Sequence, residues 1–271
     1  MSETAKGNIL SSATRVLSGL EIICRADSPV SLAQLATELD CSQVSAYRIA
    51  QTLIATGYVH AAGNGKGGYE PGWRIVELAS PMLARNQLRS FAQPILRELA
   101  VRYDESITLA IPDGSSVLFV DRVSGPRTIE FFCDVGRRLP LHIGAASRAV
   151  LAHYPDELFE QYVAGPLSRM TQETNVTEAR LRQDRDAILE RGYAVSREDV
   201  EVGITGVAAV IKNRSGDVLG AAAIANISAR WDQTEIETRG AVMVEACAQI
   251  GERAALVTQR LTLDGASTDD N

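Results

Sequence analysis

Two short helical segments separated by a single dipeptide constrain the fold of this chain more than any other feature of its sequence. Apolar residues recur at helical spacing on both sides of Asp40-Cys41, and two residues leave room only for a tight turn. Ser31 is suited to cap the first helix, residues 32–39, and Ser42 is suited to cap the second, which should run to Thr56. The sequence therefore predicts a helix-turn-helix.

Another helix should precede this pair, and a hairpin should follow it. The apolar residues of the preceding helix are Ile9, Ala13, Val16, Leu17, Leu20 and Ile23. After Gly57, residues 58–60 and 68–70 flank the glycine-rich stretch 63–67, a pattern typical of a two-stranded hairpin. Helix, helix, turn, helix and hairpin is the order of a winged helix-turn-helix, and a generic three-helix packing unit is the alternative.

Two more helices should follow the hairpin. Apolar spacing predicts a linker helix from residue 73, which Pro81 should kink or restart. The next helix should cover residues 88–103, with a local irregularity at Pro94.

The remaining sequence predicts an antiparallel sheet with flanking helices. Strand patterns occupy residues 106–111, 117–123, 128–133, 207–212 and 218–227. Helix patterns occupy residues 145–154, 157–163 and 178–191, the last between Thr177 and Gly192, and a terminal helix should begin with Thr234 as its N-cap. Strands joined by tight turns with helices around them favour an α+β domain over a Rossmann fold.

These patterns divide the chain of 271 residues into four segments. They are a winged helix-turn-helix domain (1–71), a linker helix (72–87), a larger α+β domain (88–263) and a disordered tail (264–271). With 45% hydrophobic residues, the composition is that of an ordinary globular protein. Its apolar runs are far shorter than the ~20 residues of a membrane helix, and residues 1–10 lack a secretion signal, so we expect a cytoplasmic protein.

The distribution of charge says more about partners than the total does. A net charge of -7 argues mildly against nucleic acid, since binding to duplex DNA depends on neutralising phosphates. Between Asp40 and Glu70, however, the sequence has Arg48 and Lys66 but no acidic residue. This acid-free window coincides with the second helix of the pair and the hairpin.

The four cysteines are scattered without metal-ligand spacing. Cys24, Cys41, Cys133 and Cys247 form no CxxC pair, so we expect reduced thiols in the core and no metal site. Cys41 as a redox sensor is the alternative.

The outward face of the second helix of the pair is a candidate DNA-reading surface. If Ala46, Ile49, Ala50 and Leu53 form its buried stripe, the polar residues face outward. Arg and Gln can read guanine and adenine bidentately, and Ser and Thr can contact bases or phosphates. The candidate DNA-binding residues are Ser42, Gln43, Ser45, Tyr47, Arg48, Gln51 and Thr52, together with Asn64 and Lys66 at the hairpin tip. A solvated helix face and a flexible hairpin tip are the alternatives.

Several separated segments, in this order and spacing, resemble the IclR family of transcription regulators. They are residues 48–53 and 57–59, residues 136–142 and 149–152, and residues 191–196, Gly203, 208–210 and 216–224. The chain departs from the usual family pattern at Val44-Ser45, at Ser147-Arg148 and at Pro81 in the linker.

The resemblance implies a GAF-like domain that binds an effector, and homodimers or homotetramers formed through both domains. A single DNA-binding domain offers few cationic contacts, so we expect two or more copies to bind a palindromic operator on double-stranded DNA. Effector binding would shift the operator affinity, with the linker helix as the element that changes state.

The resemblance also places the effector pocket between the sheet and the loop at 144–147, where helix N–H groups suit an anion. Its matching positions are Gly144, Ala145, Ala146, Ser147, Ser196, Gly206, Ala223 and Ala225. This implies a small organic acid, and the alanines favour an aromatic or longer carboxylate. Small residues required for packing are the alternative explanation of the alanines.

An enzyme is the main rival interpretation, because the chain contains His142, His153, Asp199 and Cys133. It lacks the GxSxG, HExxH, P-loop and GxGxxG motifs, and His142 is more simply a core histidine or a partner of Asp134. A metal or redox sensor is a third interpretation. We therefore expect a regulator that is not an enzyme and has no cofactor.

Overall fold

The computed structural model describes residues 10–63, 67–126 and 134–265, with side chains described as far as Ala254. The chain divides into two compact units that meet between Arg85 and Asn86. Each unit is described by itself below.

The N-terminal unit has the predicted order of helices and hairpin. Its elements are α1 (Ser11–Arg25), α2 (Leu32–Glu38), α3 (Gln43–Ala55), β1 (Val59–Ala61), β2 (Tyr69–Pro71) and α4 (Arg74–Arg85). The two strands pair antiparallel, each one residue later than predicted. Ile9 and residues 64–66 of the hairpin tip lie outside the described residues.

Serine caps and a tight turn position α2 and α3. The Ser31 hydroxyl accepts a hydrogen bond from the N–H of Gln34, whose side chain accepts one from the N–H of Ser31. The Ser42 hydroxyl accepts a hydrogen bond from the N–H of Ser45 at 3.2 Å. Between the helices, Asp40 has a φ of 47°, the left-handed conformation of a tight turn.

The buried stripe of α3 is the predicted one: Ala46, Ile49, Ala50 and Leu53. It packs in one core with Ile23 of α1 and Leu35 of α2. An ideal Cβ at Gly19 of α1 would lie 2.9 Å from Cγ2 of Ile49, so glycine allows α1 to approach α3 closely. The face of α3 opposite this core is therefore held outward.

Neither Pro81 nor Pro94 interrupts its helix. The sequence predicts a kink or a restart at Pro81, and the restart is wrong. Pro81 lies inside α4, and Pro94 lies inside α5 (Gln87–Tyr103). A proline removes one helical hydrogen bond, to the carbonyl four residues earlier. For Pro81 that carbonyl belongs to Glu77, in a helix without buried residues, where water can hydrate it.

The C-terminal unit is built on a six-stranded antiparallel sheet in the order β5-β4-β3-β8-β7-β6, which confirms the α+β prediction. Its strands are β3 (Ser106–Asp113), β4 (Ser116–Val123), β5 (Arg138–Pro140), β6 (Ala194–Arg197), β7 (Ile204–Lys212) and β8 (Val218–Ile227). Its further helices are α6 (Ala145–Ala152), α7 (Asp156–Val163), α8 (Glu178–Arg191) and α9 (Gln233–Gly265).

Some boundaries differ from the prediction. The short strands β5 and β6 were not predicted, and the strand predicted at 128–133 lies outside the described residues. Thr234 is not the N-cap of α9: the Asp232 carboxylate accepts the hydrogen bond from the N–H of Glu235 at 2.8 Å, and Thr234 lies inside the helix. Thr177 precedes α8 without a side-chain cap, and Gly192 ends that helix with a φ of 86°.

Strand alternation gives the sheet two different faces. Alternate residues Ala110, Ala208 and Ala221 belong to one core with α6. Thr108, Gly206 and Ala223 lie on the same face, each two residues along its strand from Ala110, Ala208 and Ala221 respectively. Small residues thus line a continuous strip of sheet beneath the start of α6.

Contrary to the sequence prediction, the cysteines do not all lie in the core. Cys247 is buried, and burial raises the pKa of its thiol to about 12. Cys41 is partly exposed and Cys24 is exposed, the latter because it lies on the outer side of α1; Cys133 lies outside the described residues.

No helix in the described part of the chain is long and apolar enough to cross a membrane.

Candidate nucleic-acid interface and ligand cavity

The outer face of α3 presents most of the predicted DNA-binding side chains. Gln43, Tyr47, Arg48, Gln51 and Thr52 are exposed, as is the cap residue Ser42, and Ser45 is half-buried. These positions are opposite the buried stripe because the helix repeats every 3.6 residues. Asn64 and Lys66 lie outside the described residues.

Three hydroxyls on this face serve the helix itself. The hydroxyls of Ser42 and Ser45 share a hydrogen bond at 3.1 Å, and the Thr52 hydroxyl donates to the Arg48 carbonyl at 2.8 Å. Gln43, Arg48 and Gln51, by contrast, form no side-chain hydrogen bond or ion pair with any described residue. Their donors and acceptors are therefore available to a partner without first breaking an internal contact.

No carboxylate belongs to α3, so the free guanidinium of Arg48 has no acidic neighbour on its own helix. In the hairpin, Glu70 pairs with His60 across the two strands at 3.1 Å. The helix thus combines one uncompensated cation with two amide side chains that can each donate and accept.

A cavity in the C-terminal unit lies between the sheet and the start of α6. Its volume is about 70 Å³, and it is partly open to solvent. Seven of the eight predicted effector residues line it: Gly144, Ala145, Ala146, Ser196, Gly206, Ala223 and Ala225. Ser147 does not, and its fully buried hydroxyl has no hydrogen-bond partner in the part of the chain that the structure describes.

The rest of the lining was missed by sequence reasoning: Ser106, Thr108, Phe119, Leu139, Val200, Glu201 and Ile204. Ser106 and Thr108 could have been found from strand alternation, because they share a face with Ala110 and pair with Ala225 and Ala223. Val200 and Glu201 lie in the loop between β6 and β7, for which the sequence has no periodic signal.

Glycine is required where this cavity meets α6. Gly144, the N-cap of α6, has a φ of 85°, and an ideal Cβ there would lie 2.9 Å from Cγ2 of Val200. The helical hydrogen bonds of α6 begin at Arg148, whose N–H donates to the Gly144 carbonyl. The N–H groups of Ala145, Ala146 and Ser147 therefore have no intrahelical acceptor.

The protein's own carboxylate already lies at this helix N-terminus. The buried Asp199 side chain accepts hydrogen bonds from the N–H of Gly144 at 3.1 Å and from the Ser196 hydroxyl. Its backbone carbonyl accepts a hydrogen bond from the Thr174 hydroxyl at 2.8 Å. Asp199 thus binds the N-cap amide of α6, one residue before the N–H groups of Ala145, Ala146 and Ser147.

Arg148 of α6 is a buried cation whose partners belong to the protein. Its guanidinium pairs with Asp184 at 2.6 Å and with Asp199 at 3.4 Å, and also donates to the Val195 carbonyl. It is not among the residues that line the cavity. Its charge is therefore compensated by the protein.

His142 is a satisfied core residue rather than a partner of Asp134. Its Nε2 donates to the Ser168 carbonyl at 2.8 Å, which leaves Nδ1 to accept from the Tyr162 hydroxyl at 2.7 Å. Burial lowers the pKa of His142, so the imidazole is held neutral, and burial raises the pKa of Tyr162 to about 12. Asp134 instead pairs with Arg122 at 2.8 Å.

Comparisons with known proteins agree with this arrangement along most of the chain. The family model for the IclR helix-turn-helix domain matches residues 12–63, and that for the C-terminal part of bacterial IclR transcriptional regulators matches residues 81–251. The HTH-type transcriptional regulator KipR of Bacillus subtilis is 26% identical over 225 residues, covering 83% of this chain and 89% of its own length. The transcriptional repressor IclR of Escherichia coli is 25% identical over 242 residues, covering 88% of each chain.

Solved structures show the same fold. A Rhodococcus transcriptional regulator superposes with a TM-score of 0.78 at 25% identity, covering 92% of this chain and all of its own. An IclR homologue from Microbacterium hydrocarbonoxydans, solved with 4-hydroxybenzoate, has a TM-score of 0.73 at 24% identity, covering 89% of this chain and 98% of its own.

Proposed function

The chain belongs to the IclR family of DNA-binding transcriptional regulators, which are not enzymes, and we propose that it reads a specific operator through the outer face of α3. In this proposal residues 1–71 bind DNA in the cytoplasm, residues 72–87 link the two domains, and residues 88–263 bind an effector.

The observation that carries the proposal is the set of free polar side chains on one capped helix. Gln43, Arg48 and Gln51 are exposed and have no partner among the described residues, while Ala46, Ile49 and Leu53 hold the opposite face in the core. A helix fits the major groove, where Arg can read guanine and Gln can read adenine. Ser42, Ser45, Tyr47 and Thr52 would contact phosphates or sugars, as would Asn64 and Lys66 of the wing.

Replacing Arg48 tests this directly. The Arg48→Ala variant should bind the operator at least tenfold more weakly, because a bidentate arginine contributes about 1–3 kcal/mol of discrimination per half-site. Fluorescence anisotropy with a labelled fragment of the protein's own upstream region measures the affinity, and circular dichroism verifies the fold.

The matched control is Arg25→Ala, which removes the same charge from the exposed end of α1. It should lose far less affinity than Arg48→Ala. Equal affinities for Arg48→Ala and the wild type would place the reading surface elsewhere.

We propose that the protein acts as a homodimer or homotetramer on a palindromic operator. One unit offers few cations, so two copies on the same duplex are required for useful affinity. The apolar residues of α4 support a partner helix: Val76, Leu78 and Met82 are exposed, and the preceding Trp73 is 79% exposed. Exposed apolar patches of this kind mark interaction surfaces.

The cavity beneath α6 is the proposed effector site, and its ligand would change the operator affinity. A coupling of about 1–3 kcal/mol is typical of such regulation. The small organic acid, aromatic or otherwise, that the family resemblance implies is one candidate class, supported by the N–H groups of Ala145, Ala146 and Ser147, which have no acceptor among the described residues. The homologue solved with 4-hydroxybenzoate is 24% identical to this chain, so its ligand does not determine the ligand class here.

A further inference from the structure

The ionisable chemistry of the cavity is acidic. Among the described lining residues, Glu201 is the one ionisable side chain, and no lysine, arginine or histidine lines the cavity. The other polar lining side chains are the hydroxyls of Ser106, Thr108 and Ser196, each less than a tenth exposed. A ligand here therefore meets a carboxylate and hydroxyls against an apolar background.

Part of the hydrogen-bond donation around the cavity is already used within the protein. The Ser196 hydroxyl donates to Asp199, so it offers only lone pairs to a ligand. The Ser106 hydroxyl shares a hydrogen bond with that of Ser124 at 3.3 Å, and the N–H of Gly144 is bonded to Asp199. Together with Glu201, these groups favour a ligand that donates hydrogen bonds.

Electrostatics oppose an anionic ligand. Glu201 contributes a negative charge to the lining that no described lining residue balances, whereas Asp199 does not line the cavity and is paired with Arg148. Arg148 does not compensate Glu201, because it is paired with Asp184 and Asp199. A ligand carboxylate would be desolvated beside the like charge of Glu201, which is costly in a partly closed site.

We infer that the effector of this protein is an amine: a mostly apolar molecule whose ammonium group binds Glu201. The inference rests on the proposed role of the cavity as the effector site. It assigns the effector a positive charge, where the family resemblance implies a negative one. The apolar body would lie against Phe119, Leu139 and Val200, while the hydroxyls of Ser196 and Thr108 accept from the polar end.

Three probes that share one apolar body test the inference: benzylamine, benzyl alcohol and benzoate. Their dissociation constants for the full-length protein are measured by ligand-observed NMR titration. Benzylamine should bind most tightly and benzoate most weakly. In the Glu201→Gln variant, benzylamine should bind about tenfold more weakly, since hydrogen bonds to a charged group are the strong ones, and benzyl alcohol should change little.

Glu198→Gln is the matched control, because Glu198 lies in the same loop but does not line the cavity. It should leave all three affinities unchanged. Tighter binding of benzoate than of benzylamine, or an equal loss of benzylamine affinity in both variants, would overturn the amine inference and leave the cavity as the effector site.

The proposed site itself has a separate test. Gly206→Val places a branched side chain in the lining and should abolish binding of every probe. Probe binding that survives this substitution would show that the ligand binds elsewhere. No saturable binding of benzylamine to the wild type would also overturn the amine inference.

Discussion

Substitution of Gly206 tests whether the space beneath α6 is as open as the structure has it. Gly206 lies inside β7 and lines the cavity. An ideal Cβ there would lie 3.6 Å from Cβ of Ala225 and 3.9 Å from Cβ of Ala145, which are ordinary van der Waals distances. Gly206→Ala therefore adds a methyl group without displacing a neighbour.

The expected effect is a small gain in stability. A glycine replaced by alanine at a compatible backbone position gains about 0.4–1 kcal/mol, mainly because the unfolded chain loses conformational freedom. For a domain of this size, each kcal/mol changes the Tm by about 2–4 °C. Gly206→Ala should therefore raise the Tm by about 1–4 °C.

Gly220→Ala, in β8 of the same sheet, is the control. There an ideal Cβ would lie 2.5 Å from the Ala110 carbonyl oxygen, so the backbone must shift, at a cost of about 1–3 kcal/mol. Differential scanning calorimetry of both variants measures the difference. If Gly206→Ala destabilises the protein as much as Gly220→Ala does, the reasoning about open space at this position is refuted.

Two further predictions concern assembly and pH. Met82→Glu, on the exposed apolar face of α4, should shift the sedimentation coefficient toward the monomer, whereas Val101→Glu on the exposed side of α5 should not; an unchanged assembly in both would exclude α4 as the interface. Burial lowers the pKa of His142 from its usual value of 6.5. As the pH is lowered through 6.5, the unfolded chain therefore binds more protons than the folded one, and the free energy of unfolding decreases. In urea unfolding, the free energy of unfolding should decrease less steeply at acidic pH in His142→Gln than in the wild type. Identical pH profiles for the two proteins would contradict this role of His142.

The helix-turn-helix was predictable because its signals are local. Ser31 and Ser42 cap their helices through side chains three residues or fewer from their partners, and the stripe of Ala46, Ile49 and Leu53 follows helical periodicity. The cap of α9 was misassigned because Asp232 and Thr234 are both good cap residues, and the choice depends on where the preceding chain turns.

The cavity was only partly predictable because it joins distant segments. Gly144 and Ala145 were placed by the resemblance, but Glu201 lies in an irregular loop, and Asp199 meets Gly144 across 55 residues of sequence. Pairing over such separations leaves no periodic signal in the chain. The anion site expected at the N-terminus of α6 stays a prediction, and the contact between Asp199 and Gly144 could be seen only in the fold.

The most direct test of the account is the affinity of the purified full-length protein for DNA fragments from its own upstream region, compared with random fragments at moderate salt. Sequence-specific recognition through α3 predicts at least about a thousandfold preference for one palindromic site, as is typical of specific DNA-binding proteins. Weak association that does not distinguish the fragments, with or without the cavity ligand, would contradict the proposal that this chain reads an operator.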